Sequence, residues 1–357
     1  MWNATLALMP YAHVLQTWEW GDFKAATTGW TPERIAYMHQ GGVAAMAQIL
    51  TRKVGSLSIM YVPKGPALDY TDQALRAGVL AELKRRAAER GSIFVKIDPD
   101  VATGVGVPGQ PDAFDDPTGL QVGAEWTMAG LSFSREQVQF RNSIVIDLRR
   151  TEDELIDAMK QKTRYNVRLA ERRGITIRFG TEDDLAMLYA LYEMTARRDG
   201  FIIRPLDYYK LAWGTFMKAQ LAQPIIAELK GYPIAHVIIF GFARRAWYFY
   251  GASSDEGRQH MPTYLLQWEA IKWAKRQGML MYDFWGAPDD FYDENDPLAG
   301  VFRFKQGFGG VTVRRIGAWD FAPRPMLYTA YTRIMPAVLG VMRALARRRL
   351  SGEGSSM

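Results

Sequence analysis

Lys160, Arg164, Arg168 and Arg172 recur at every fourth position, flanked by Lys162 and Arg173, and Glu171 is the one acid in the stretch 160–173. On an α-helix a step of four residues advances about 40° beyond a full turn, so these cations form a slowly spiralling stripe. A stripe with so little compensating charge has the chemistry to contact a phosphate backbone; a solvated helix face is the plain alternative. Other chemistries are excluded. The chain has no cysteine, which removes thiolate nucleophiles, disulfides and cysteine-based metal sites. His13, His39, His236 and His260 are scattered, with no H-E-x-x-H pair, and no metal site is expected. Gly104, Gly106 and Gly109 match G-x-G-x-x-G, but Pro108 and Pro111 lie where a phosphate-capping helix would begin, so the match is discounted. A net charge of +6 and a pI near 9.3 favour anionic partners: nucleic acid, phosphorylated precursors or an acidic membrane surface.

The elements that must carry such groups follow from turns and periodicity. Gly41-Gly42 marks a hairpin between strands 34–39 and 43–50, and Ser56–Val62 alternates as a further strand. A helix is expected over 72–90, stopped by Gly91, then a strand through Ile93, Val95 and Ile97 that closes at Asp98-Pro99. Residues 101–123, rich in Gly, Pro and Asp, read as a loop. A second unit opens with the strand Ser143–Leu148. Thr151 and Glu154 then form a capping box for one long helix ending at Gly174. A strand at 175–179, a Thr181-capped helix to about Arg198 and a helix over 206–222 follow. A hairpin about Gly231, the strand 247–251, a helix over 262–277 and the strand 280–284 complete the unit.

At 357 residues, 48% hydrophobic and 23% charged, the chain suits two folded domains. Leu83–Pro99 and Trp268–Pro288 both run helix, glycine, alternating strand, proline, a weak internal repeat of two mixed α/β units. The aromatic content of 13% includes the runs 247–250 and 282–285. The N-terminus lacks a basic signal region and no apolar run reaches the ~20 residues of a membrane span, so a cytoplasmic protein is expected. The stretch 326–349 is helical in pattern, interrupted at Pro336 and ending in the cluster Arg343–Arg349. It suits either peripheral contact with an anionic membrane face or packing on the first domain. Residues 350–357 read as a disordered tail.

The segment Arg258–Ala274 tracks the point where N-acetyltransferases of the GNAT fold open their cofactor helix. Those enzymes place glycines there so that backbone N–H groups approach a pyrophosphate. This chain has His260, Met261, Pro262 and Thr263, and Pro262 has no N–H to donate. The expectation is a GNAT architecture without an acyl-CoA site, using no cofactor and another acyl donor.

Four further stretches are more specific: Gln16-Thr-Trp-Glu-Trp-Gly-Asp-Phe-Lys24, Lys162-Thr-Arg-Tyr-Asn-Val-Arg-Leu-Ala170, Tyr248-Phe-Tyr-Gly-Ala-Ser253, and Tyr282–Pro288 with Asp296–Gly310. Together they resemble the Fem (FemABX-type) family, the aminoacyltransferases that build peptidoglycan interpeptide bridges from aminoacyl-tRNA. Thr17 replaces the usual serine, and the likeness spans about residues 13–320. It implies an α/β (α+β) fold of two tandem GNAT-like domains, each a mixed twisted sheet flanked by helices. The expected division is 1–142, completed by about 317–349, and 143–316. It also implies a groove between the domains, an aminoacyl-tRNA donor, and an acceptor that is UDP-muramyl pentapeptide or a lipid-linked peptidoglycan precursor.

By matching positions, the resemblance assigns Lys305 to the aminoacyl ester, where a fixed ammonium stabilises the oxyanion formed by amine attack. Phe304 would stack on the terminal adenosine of the tRNA. Lys24 and Arg204 (or Arg197 or Arg198) would contact precursor phosphate, beside Tyr208 and Tyr250 or Tyr248. Asp98 would hold or deprotonate the attacking ammonium. No insertion matches the helical arm of some family members, which draws the Lys160–Arg172 stripe toward the tRNA body. Two rivals stand beside this expectation: an acyl-CoA-dependent N-acyltransferase, and a non-catalytic RNA- or membrane-surface-binding protein.

Overall fold

The computed structural model describes residues 1–334. The chain opens with helices α1 (Trp2–Leu6) and α2 (Trp18–Thr28), then strands β1 (Thr31–His39), β2 (Gly42–Val54), β3 (Leu57–Pro63) and β4 (Ala67–Leu68). The β1–β2 turn places Gln40 and Gly41 at positive φ, the conformation a two-residue hairpin loop needs. Helix α3 (Gln73–Glu89) is capped by the Asp72 side chain and returns the chain to β5 (Ser92–Asp98), parallel to β3. Next come β6 (Ala102–Val105), β7 (Phe114–Asp115), α4 (Pro117–Met128) and β8 (Ser132–Phe133).

The second half holds β9 (Asn142–Asp147), α5 (Glu152–Ala158), α6 (Gln161–Arg172), β10 (Ile175–Phe179), α7 (Leu185–Asp199) and α8 (Leu206–Lys218). The antiparallel strands β11 (Ala222–Leu229), β12 (Tyr232–Phe242) and β13 (Arg245–Ser253) follow, then α9 (Pro262–Arg276), β14 (Met281–Asp283), α10 (Ala299–Gln306), β15 (Val311–Arg315) and β16 (Trp319–Phe321).

Among the described residues these strands form two mixed sheets. One runs β1-β2-β3-β5-β16-β8, with β4 beside β2; the other runs β10-β11-β12-β13-β14-β9-β15-β6-β7. The halves exchange strands: β6 and β7 extend the second sheet, and β16 crosses back to pair with β5. Each sheet buries its own apolar cluster. A third cluster joins Leu6, Val14, Leu15 and Phe23 to Trp213, Phe216, Ile238 and Trp247. The N-terminal segment therefore seals the two halves by burying apolar surface against the second sheet.

Several expectations are corrected. Residues 101–123 are not one loop: Asp116 caps α4 and Pro117 occupies its first turn, the position at which proline's missing N–H is harmless. The Thr151–Glu154 capping box is present, but the long helix beyond it breaks at Met159, which is extended and buried. There the N–H of Lys160 donates to the Gly307 carbonyl (2.8 Å) instead of continuing the helix. The helix expected over 206–222 ends at Lys218, because Ala222 already belongs to β11. A helix begins at 325 and runs to the last described residue, 334; Pro336, the Arg343–Arg349 cluster and the 350–357 tail lie outside the described residues.

Candidate active site

The segment Gln16–Lys24 shows how local sequence builds one wall of the site. Gln16 is buried, and its amide bridges two strands: its Nε2 donates to the Pro63 carbonyl (2.7 Å) and its Oε1 accepts from the Gln48 N–H (2.6 Å). A β-carbon on Gly21 would lie 2.3 Å from the Gln48 side chain, so glycine lets α2 seat against β2. One helical turn beyond Trp20, Lys24 then emerges toward the second half of the chain. Its ammonium donates to the Tyr208 hydroxyl (3.1 Å) and lies 4.7 Å over the Trp20 ring. The Arg204 guanidinium lies 5.7 Å from the centre of the same Tyr208 ring. Burial, and then the neighbouring Arg204 charge, lower the Lys24 ammonium to about 8. Among the described residues neither cation has a carboxylate partner, which suits them to an anion.

Tyr248 and Tyr250 divide between two surroundings. A bulge in β13 sets Tyr248 opposite Ile239 and Tyr250 opposite Ile238, leaving Phe249 as the extra residue. In a regular strand positions 248 and 250 share a face; here Tyr248 joins the second-sheet cluster, whereas Phe249 and Tyr250 join the shared one. Tyr250 packs against Tyr192, Tyr209 and Trp213 near Tyr208, and burial raises its hydroxyl well above the ordinary range. Tyr248 instead presents its ring to Lys305, 5.9 Å from the ammonium, and burial lifts its hydroxyl to about 12.

Lys305 projects from α10 into the notch where β13 and β14, paired in parallel over three residues, part beyond Trp247 and Asp283. It is buried, and its ammonium donates to the carbonyls of Trp285 and Gly286, each at 2.6 Å. Those carbonyls converge because Trp285 and Gly286 both have positive φ (50° and 92°). For tryptophan that backbone costs about 1 kcal/mol or more, strain of a kind that clusters at functional sites. Burial lowers the Lys305 ammonium to about 7, opposed by the nearby Asp283 carboxylate. An ammonium has three donors; two are engaged and one remains for a carbonyl oxygen. Phe304 is half-buried, edge-on to Tyr264 (5.0 Å) and Phe308 (5.3 Å), so part of the ring is committed to the core.

Asp98, at the end of β5, is fully buried. The Tyr61 hydroxyl (3.1 Å) and the Lys64 ammonium (3.3 Å) both donate to it. Burial raises its carboxyl pKa, while the Lys64 charge and the Tyr61 hydrogen bond oppose the shift. An incoming amine reaches Asp98 only if one of these partners moves. Lys64, which sequence reasoning missed, is itself fully buried at positive φ (45°), bonds the Phe140 carbonyl (3.3 Å) and lies 5.8 Å over the Trp285 ring. It thus links Asp98 to the residue whose carbonyl anchors Lys305. A second buried charge chain was equally hidden. Arg315 pairs with Asp100 (2.6 Å) and Asp283 (2.7 Å), and Arg245 also bonds Asp100. His13 wedges between Trp247 and Trp285, and burial lowers its imidazole well below the usual range. Asp98-Pro-Asp100 and the Val62-Pro-Lys-Gly-Pro66 turn were the only local signals for these groups.

The basic stripe is less continuous than its spacing suggests. Lys160 precedes α6 as its N-cap residue, and Arg164 donates to the carbonyls of Asp157 (2.7 Å) and Met159 (2.6 Å) that the helix break leaves open. Arg168 and Arg172 are exposed on α6, together with Lys162 and Tyr165. Arg173 is tied to the Gln259 carbonyl. At the start of α9, Met261 has positive φ and Pro262 fills the first turn, with no side-chain cap.

Two mixed sheets in tandem, the second with a pair of parallel strands that part around a buried lysine, place the molecule among GNAT-like tandem proteins. A tandem GNAT protein from the clavulanic acid biosynthesis pathway superposes with a TM-score of 0.53 at 12% identity, covering 90% of this chain and 94% of its own. FemX superposes with a TM-score of 0.81 at 22% identity, covering 92% and 97%. The chain belongs to the FemAB family, whose model matches residues 6–231 and 219–335. The Lipid II:glycine glycyltransferase of Staphylococcus aureus (strain USA300) is 25% identical over 95% of this chain and 96% of its own length. That alignment spans 411 positions against the 357 residues here, so the relative carries inserted residues that this chain lacks. Among the described residues no helix is long and apolar enough to cross a membrane.

Proposed function

We propose that this protein is an aminoacyltransferase of peptidoglycan synthesis, moving an amino acid from aminoacyl-tRNA to an amine on a precursor's peptide stem. The observation that carries the reading is Lys305: a buried ammonium fixed by two carbonyls, with one donor left, at a strained strand end. The acceptor amine attacks the aminoacyl ester carbon, a C–N bond forms, the C–O bond to the tRNA ribose breaks, and the proton lost by the amine balances the one gained by the leaving hydroxyl. Lys305 donates to the carbonyl oxygen as negative charge develops on it. Phe304, the residue before Lys305 on α10, stacks the part of its ring not committed to the core on the terminal adenosine.

Lys24, Arg204 and Tyr208, brought together from both halves of the chain, take the precursor's phosphate, with Tyr250 in the wall behind them. Tyr248 flanks the ester beside Lys305. Asp98 holds Lys64 in place and takes up the acceptor ammonium when Lys64 shifts. The exposed Arg168 and Arg172, with Lys160 beside the helix start, meet the tRNA backbone; Arg164 braces the helix that carries them. The acceptor of the staphylococcal relative, lipid II, favours a lipid-linked precursor.

The test presents a pool of radiolabelled aminoacyl-tRNAs to the protein with nucleotide-linked or lipid-linked precursor. Label passing into a precursor supports the reading. Transfer from acyl-CoA instead, with calorimetric binding of acetyl-CoA, replaces it with the N-acyltransferase rival.

A further inference from the structure

Phe201 and Ile202 stand exposed, at 41% and 51%, in the short connection between α7 and α8. Their exposure does not come from a slack loop. Gly200 and Phe201 both donate to the Ala196 carbonyl (2.9 and 3.1 Å), ending α7. The Arg204 carbonyl accepts from the Tyr189 hydroxyl (3.2 Å), and the Arg204 N–H donates to the Tyr209 hydroxyl (3.4 Å). Ile203 between them turns inward and packs on the shared cluster. The chain is therefore pinned on both sides while two large apolar side chains are held in water.

Charge beside the tip selects what covers it. Arg197 and Arg198 are compensated by Glu193, Asp199 and Asp255. Arg204 and Lys24 have no carboxylate partner among the described residues; the exposed acids nearby in sequence are Asp199, which pairs with Arg198, and Asp207. At about 3.3 Å per extended residue, Phe201 and Ile202 lie roughly 7–10 Å along the chain from Arg204. The two apolar side chains therefore sit within reach of the same bilayer surface as the Arg204 charge. A protein partner would bring carboxylates or a complementary apolar face; a bilayer brings apolar chains with phosphate immediately above them.

We propose that the 201–204 connection docks the enzyme on a bilayer, Phe201 and Ile202 entering the acyl boundary while Arg204 and Lys24 meet phosphate at the headgroup level. This rests on the reading of a lipid-linked acceptor and adds the route by which its phosphate reaches the site.

The test is flotation of the full chain with vesicles of phosphatidylcholine, with and without phosphatidylglycerol, comparing wild type with a Phe201→Ser, Ile202→Ser double variant. Wild type floats with the anionic vesicles, and the variant partitions about tenfold less. In parallel, the variant's apparent KM for vesicle-borne precursor rises, while transfer to the water-soluble nucleotide-linked precursor stays at the wild-type rate. Equal flotation of both proteins, or none by wild type, overturns the proposal. So does loss of transfer to the soluble precursor, which would place the two side chains in the fold or the acceptor site. Loop-dependent flotation by a protein that transfers to no acceptor keeps the docking surface and rejects the proposed reaction instead.

Discussion

The Lys305 ammonium and the Trp285 carbonyl, 2.6 Å apart, join the α10 lysine to a strained strand end, and Lys64 approaches the same tryptophan from the first half of the chain. Removing the Lys305 side chain therefore takes the donor away from the Trp285 and Gly286 carbonyls. Lys305→Ala is expected to lower the single-turnover transfer rate by about 10²–10³-fold, with circular dichroism unchanged. Arg at this position is expected to fail as well, because a planar fork does not replace a point donor between two converging carbonyls. Full activity in Lys305→Arg would contradict this geometry.

The lowered Lys305 pKa has a stability consequence with a definite sign. In the unfolded chain the side chain holds its proton up to about 10.4, whereas in the fold it releases it near 7. The unfolded state thus binds more protons across this window, and stability rises with pH through it. Relative to Lys305→Met, the wild type should gain up to about 1.4 kcal/mol per pH unit above 7, measured by urea denaturation at constant ionic strength. A constant difference between the two proteins from pH 7 to pH 9 would refute the shift.

Asp98 and Lys64 are both fully buried, and each compensates the other. Asp98→Asn leaves the Lys64 charge unpaired and is expected to destabilise by about 3–5 kcal/mol. Adding Lys64→Met should recover much of that loss in a double-mutant cycle. Additive losses would mean that the two side chains are not coupled.

What could be read in the sequence divides along the same line between local and distant partners. The Thr151–Glu154 capping box, the alternation of Ile93, Val95 and Ile97, and the glycine stops at 91, 174 and 278 are set by neighbours a few residues away, so they are visible in one dimension. The fold class was legible for that reason, and through the motifs that carry the family resemblance. The break at Met159 was not, because it depends on the Gly307 carbonyl. Neither was the separation of Tyr248 from Tyr250, which needs a bulge in the pairing with β12. Lys64, Arg315 and Asp100 look like ordinary surface charges until packing brings their partners from tens of residues away.

Lys24→Ala and Arg204→Ala are each expected to raise KM for the precursor about tenfold, with kcat changed less, if each holds the phosphate by a charge-assisted contact as proposed. Tyr208→Phe removes only the hydroxyl that orients Lys24 and should have a smaller effect. Steady-state kinetics on the nucleotide-linked precursor separates the two parameters. Unchanged KM in both lysine and arginine variants would displace the phosphate site.

Arg168→Glu with Arg172→Glu is expected to weaken tRNA binding and to flatten its salt dependence, because fewer counterions are released. Filter binding at several salt concentrations measures both. An unaltered slope would leave α6 as a solvated face.

The most direct test of the account is single-turnover transfer from aminoacyl-tRNA to precursor by wild type and Lys305→Ala, with tRNA affinity measured alongside. Label is expected in the precursor for wild type and is lost in the variant, with tRNA affinity that differs little between them. Label transferred equally by both proteins, or by neither when both are folded, would contradict it.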